Sequence, residues 1–137
     1  LKHFELTVVP WLTDLSAVHI SRLHNLEVLK VQKANLISQI SNLHEGCPLL
    51  QQVVLRSCGS LLPATFKQLG YLPLLSQLSI DGCPRANYEI IESITSHAVS
   101  LSCFDHGSNK FTREEIDNLA ATRPDLLVRE KNPSYQR

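Results

Sequence analysis

Four cysteines, at positions 47, 58, 83 and 103, have the widest chemical repertoire of any residues in this chain. A thiol can ligate zinc, close a disulfide or act as a nucleophile, and spacing discriminates among these roles. The intervals here are 11, 25 and 20 residues, with no Cys-x-x-Cys pair. Buried, reduced thiols packing as small hydrophobes are therefore expected; neighbouring strands could still bring Cys58 and Cys83 within bonding range. Six histidines, at 3, 19, 24, 44, 97 and 106, form no His-x-x-x-His pair, so no metal site is expected. The run Cys103-Phe104-Asp105-His106-Gly107-Ser108 contains the residue types of a hydrolase. Adjacent strand residues point to opposite faces, however, which leaves Asp105 poorly placed to orient His106. Gly107, Ser108 and Asn109 read more simply as a turn. No catalytic, cofactor-binding or metal-ligating residue is assigned, no cofactor is expected, and the chain is not read as an enzyme.

Two of these cysteines close similar segments. Leu50-Gln-Gln-Val53-Val-Leu55-Arg-Ser-Cys58 and Leu75-Ser-Gln-Leu78-Ser-Ile80-Asp-Gly-Cys83 both fit L-x-x-L-x-L-x-x-N/C, the strand segment of a leucine-rich repeat. Leu1-x-x-Phe4-x-Leu6-x-x-Val9, with Trp11 beyond it, and Leu26-x-x-Leu29-x-Val31-x-x-Ala34 fit as well, so the starts fall at 1, 26, 50 and 75. A degenerate fifth strand is expected near Ala98-x-x-Leu101-x-Cys103, and a partial one at Leu126-Leu127-Val128.

Helical signals fill the intervals. Leu36, Ile40 and Leu43 have helical spacing, and Gly46 is placed to end that helix. Pro63 suits a first helical position, with Phe66 and Leu69 facing inward and Gly70 closing the helix. Ile90, Ile91 and Ile94 form another apolar stripe. Thr112-Arg-Glu-Glu115 is a capping box, flanked by Phe111 and Ile116; Ile116, Leu119 and Ala120 continue its apolar face until Pro124. The expected architecture is α/β: a right-handed β-α leucine-rich-repeat solenoid of about five repeats, with a parallel concave sheet and helices outside. It spans 1–128, followed by a polar tail over 129–137. The apolar row at Leu1, Phe4, Leu6 and Trp11 suggests the C-terminal part of a longer array, its N-terminal edge covered by further repeats or another subunit.

The 137 residues suit one domain, and 43% hydrophobic content suffices for a core. Lys plus Arg equals Asp plus Glu at 13 each, which argues against a nucleic-acid partner. No apolar run approaches the ~18 residues of a membrane span. There is no methionine, so Leu1 is not an initiator. Reduced cysteines imply an intracellular setting.

Gly46-Cys47-Pro48-Leu49-Leu50-Gln51-Gln52-Val53-Val54-Leu55-Arg56-Ser57-Cys58 resembles the cysteine-containing leucine-rich repeat, and Leu78 to Pro84 repeats the end of that motif. The segment from Leu119 to Val128 is similar to the last helix and strand of such arrays. The resemblance implies a protein-interaction module, the substrate-recognition region of an F-box-like ubiquitin-ligase receptor, in cytoplasm or nucleus. The alternative is a structural subunit or assembly factor of a large complex, in a mitochondrial setting. Leu62-Pro63-x-x-Phe66-x-x-Leu69-x-x-Leu72 departs from the subtype toward the repeat of plant receptors. A protein partner is expected on the concave face, at Lys30, Gln32, Gln52, Arg56, Gln77, Asp81 and Phe104.

Overall fold

Each strand of this chain lies beside the next one in sequence. The computed structural model describes residues 5–8, 13–40 and 42–130, with the backbone alone for 5–8 and 16. The row at Leu1, Phe4 and Trp11, His3 and the tail from 131 lie outside the described residues. Six strands, β1 (Glu5–Val8), β2 (Val28–Gln32), β3 (Gln52–Arg56), β4 (Gln77–Asp81), β5 (Cys103–Asp105) and β6 (Leu127–Arg129), form one sheet in sequence order. Every neighbouring pair is parallel. The connections carry α1 (Asp14–Ala17), α2 (Leu43–Gly46), α3 (Pro63–Lys67), α4 (Tyr88–His97) and α5 (Arg113–Thr122). Tight 3-10 turns follow α1 at Ile20–Arg22 and α3 at Gln68–Tyr71. The result is an α/β fold compatible with a β-α repeat.

Equivalent hydrogen bonds recur from unit to unit. The carbonyl of Glu27 accepts from the amides of Gln51 (2.8 Å) and Gln52 (3.1 Å). The Gln51 carbonyl does the same for Ser76 (2.9 Å) and Gln77 (3.1 Å), and the Ser76 carbonyl for Ser102 (2.9 Å) and Cys103 (3.1 Å). At the other end of the strands, the amides of Lys33, Ser57 and His106 donate to the carbonyls of Arg56, Asp81 and Arg129. One backbone path is thus copied along the chain, and strand alternation sends Leu29, Val31, Val53, Leu55, Leu78 and Ile80 to the helical side. There they meet Phe66, Leu69, Ile91, Ile94 and Leu119 in one buried cluster.

The ninth residue of the template has a specific task. The thiols of Cys58 and Cys83 donate to the carbonyls of Val31 and Leu55 in the preceding strand, each at 3.5 Å. In the next unit that position is Asn109, whose side chain accepts from the Cys83 amide (3.0 Å) and donates to the Cys83 and Ala86 carbonyls (3.2 Å each). This sets the frame of β5 at Leu101-x-x-Phe104-x-His106-x-x-Asn109, three residues later than the Ala98 frame expected from sequence. Ala98 and Cys103 are apolar enough to imitate the pattern, and His106 hides it by standing where a leucine is usual.

Two other local expectations are corrected. Residues 36–40 form no helix: Ile37 and Ile40 are buried from an irregular segment, while Leu36 is exposed. Gly46 is the last residue of α2, as its expected place at the helix end implies, and a Cβ there would stand 1.8 Å from the Ser21 carbonyl oxygen. Glycine is needed for this close approach. The Cys47 thiol then donates to the Ile20 carbonyl (3.2 Å), and His24 Nδ1 bonds the Gly46 carbonyl (2.9 Å), so Gly-Cys-Pro joins successive turns. In α5 the capping box is present, with Thr112 Oγ1 accepting from the Glu115 amide and Glu115 accepting from the Thr112 amide. Of its apolar stripe only Leu119 is buried; Ile116 is half-buried and Ala120 exposed. Pro63 opens α3 as expected.

Candidate interaction face of the sheet

The side chains that alternate away from the core form rows across the open face of the sheet. Register puts Val28, Gln52, Gln77, Cys103 and Leu127 in one row and Lys30, Val54, Ser79, Asp105 and Arg129 in the next. Gln32, Arg56 and Asp81 make a third. Six of the seven residues chosen from sequence therefore lie on this face: Lys30, Gln32, Gln52, Arg56, Gln77 and Asp81. Gln77 is exposed and the other five are half-buried.

Phe104 is a correction. It pairs in register with Leu78 and is fully buried in the core, because the true frame of β5 turns it inward. Cys103 and Asp105 take the outward positions instead, which sequence reasoning missed together with the frame. Asn109, at the template's ninth position, was the available signal.

Neighbouring strands bring the side chains of this face together, so much of its polarity is internally matched. Asp105, 2% exposed, accepts from the guanidinium of Arg129 through both oxygens (2.6 and 3.2 Å) and from the Ser79 hydroxyl (2.9 Å). This hydrogen bonding holds the Arg129 guanidinium above its ordinary pKa. Arg129, read from sequence as the start of the tail, ends β6 and neutralises a buried carboxylate. Burial, and then the Asp105 charge, push the Cys103 thiol up. One row away, Arg56 Nε lies 3.8 Å from Asp81, whose carboxylate also accepts from the amide (2.7 Å) and hydroxyl (2.6 Å) of Ser108. Gly107 permits this contact: its φ is +55°, and a Cβ would meet the Asp81 carboxyl carbon at 2.5 Å.

Asp105 and His106 do point apart. His106 packs edge-on against Phe111 at 5.7 Å, and its Nδ1 has no hydrogen-bond partner among the described residues. On the helical side, His44, Tyr71 and His97 pack in succession with tilted rings and centroid separations of 6.1 and 4.9 Å. Among the described residues no three His, Cys, Asp or Glu side chains are grouped to hold a metal ion. No described helix is long and apolar enough to cross a membrane.

No protein-family model matches this chain, and no curated protein matches it.

Proposed function

We propose that the chain is a leucine-rich-repeat solenoid that binds a protein on the open, concave face of its sheet. The observation that carries this reading is the copied hydrogen-bond path: Glu27, Gln51 and Ser76 each accept two amides from the next unit, and Cys58, Cys83 and Asn109 tie each strand exit to its predecessor. Such stacking leaves one broad face of outward side chains, which is the usual recognition surface of repeat arrays. Gln52 and Gln77 supply adaptable hydrogen-bonding groups there, in the same row as the exposed apolar Leu127. In the leading form of the proposal the partner is a substrate presented to a ubiquitin ligase by an F-box-like receptor.

A second form is favoured by Leu49, Leu74 and Val99, exposed in three successive loops that enter strands. A permanent contact along that edge suits a structural subunit or assembly factor. Photo-crosslinking separates the two. A crosslinker at Gln77 captures a specific protein in the face reading, whereas one at exposed Ala64 of α3 does not. In the ligase form the captured protein becomes longer-lived when the contact at 77 is blocked. Capture from Leu74 and not from Gln77 would favour the edge, and equal capture at Ala64 would reject the open face.

A further inference from the structure

The two ninth-position cysteines are more than interchangeable fillers. Arg56 and Asp81 are register partners in parallel strands, so two residues further on Cys58 comes to lie opposite Cys83. The exits remain tied there by the Ser57 amide, which donates to the Asp81 carbonyl at 2.7 Å. Parallel neighbours are spaced about 4.8 Å apart, inside the Cα range of about 4.4–6.8 Å that a disulfide spans. The two thiols lie against each other, and both are free. Cys58 and Cys83 are both fully buried, and Cys83 borders a surface cleft with Gly82, Pro84, Ser108 and Lys110, so an oxidant reaches the pair when the strand exits open locally there.

From this juxtaposition we infer that Cys58 and Cys83 are a dithiol that a small disulfide oxidises to a bridge between the exits of β3 and β4. The step balances as thiol–disulfide exchange. The thiolate of one cysteine attacks a sulfur of the small disulfide, forming a mixed disulfide and releasing one small thiol. The second cysteine attacks the protein sulfur of that mixed disulfide, closes the bridge and releases the other small thiol. The two thiol protons leave with the released thiols; the protein pair is oxidised and the small disulfide reduced.

Closure has a structural cost and a structural effect. The bonds from these thiols to the Val31 and Leu55 carbonyls are lost, as are the weaker contacts to the Arg56 (3.4 Å) and Asp81 (3.6 Å) carbonyls. Oxidation is thereby transmitted to the two residues that form the Arg56–Asp81 pair on the open face. Cys47 and Cys103 have no such partner: Cys47 is bonded to Ile20, and Cys103 lies in the row of Gln77.

The test is oxidation of the whole folded chain with excess glutathione disulfide, followed by alkylation and peptide mapping. The expected product has lost two hydrogen masses, carries no retained glutathione, and yields one linked peptide joining 58 to 83. Dithiothreitol reverses it, and Cys47→Ala with Cys103→Ala leaves it unchanged. A stable glutathione adduct at 58 or 83, a bridge through another cysteine, or four free thiols after an exposure that fully oxidises the urea-unfolded chain would each overturn the inference. The wild-type map decides the matter even if Cys58→Ala or Cys83→Ala does not fold.

Discussion

Asp105 shows at the scale of one residue how this face stays polar without being open. A carboxylate with a 3% exposed side chain is tolerable only when paired, and the 2.6 Å contact from Arg129 supplies the counter-charge. Removing one partner of such a pair costs about 3–5 kcal/mol. Arg129 retains 30% exposure, so water can partly replace it, and Arg129→Met should destabilise by about 2 kcal/mol. Adding Asp105→Asn removes the stranded charge while keeping an acceptor for Ser79, and should recover at least half of that loss. Urea midpoints of the single and double variants test this; an Arg129→Met protein as stable as wild type would mean that the pair contributes nothing.

At the scale of elements, the units differ in their helices and agree in their strand exits. Helical segments lengthen from four residues in α1 and α2 to ten in α4 and α5. Side chains from the following unit satisfy the termini. Gln68 accepts from the Leu43 amide at the start of α2 and donates to the Ile40 carbonyl. Arg123 donates to the Thr95, Ala98 and Leu101 carbonyls at and beyond the end of α4, where a cation also suits the helix dipole. Local sequence could not show these clamps, because each joins residues 22 to 28 positions apart. Short-range signals were legible: the alternating strands, the capping box at Thr112 and the proline opening α3. The fifth frame was not, because His106 interrupts its leucine spacing, and the three-residue shift, being odd, turned Phe104 from surface to core. Asn109→Ala removes three hydrogen bonds from the joint between β4 and the following loop. It should cost roughly 2 kcal/mol, at about 0.5–1.5 kcal/mol per bond with partial recovery by water. Asn109→Cys should restore part of the loss, since a thiol at this position can donate to the Ile80 carbonyl as Cys58 and Cys83 do to theirs. Thermal or urea unfolding measures both; an alanine variant without effect would separate Asn109 from the cysteines' role.

For the whole molecule, parallel stacking in sequence order makes each unit depend on its neighbours and spreads the open face over several strands. The central row is filled by Val54, Ser79 and Asp105, all nearly inaccessible, so a partner would reach the face mainly through its outer rows. Arg56 is a poor single probe of that contact: Arg56→Glu would place two carboxylates together at Asp81 and confuse binding with folding. Gln77 is the better probe, because it is exposed in the row between Gln52 and Cys103. The most direct measurement is the affinity of the crosslinked partner for Gln77→Arg, compared with Glu89→Arg on exposed α4, with melting temperatures recorded for both. The open-face account predicts at least a tenfold affinity loss for Gln77→Arg, about 1.4 kcal/mol, at an unchanged melting temperature; Glu89→Arg keeps its affinity, although its melting temperature falls slightly because an acid leaves the first turn of α4. Undiminished affinity in Gln77→Arg, or an equal loss in Glu89→Arg, would contradict it.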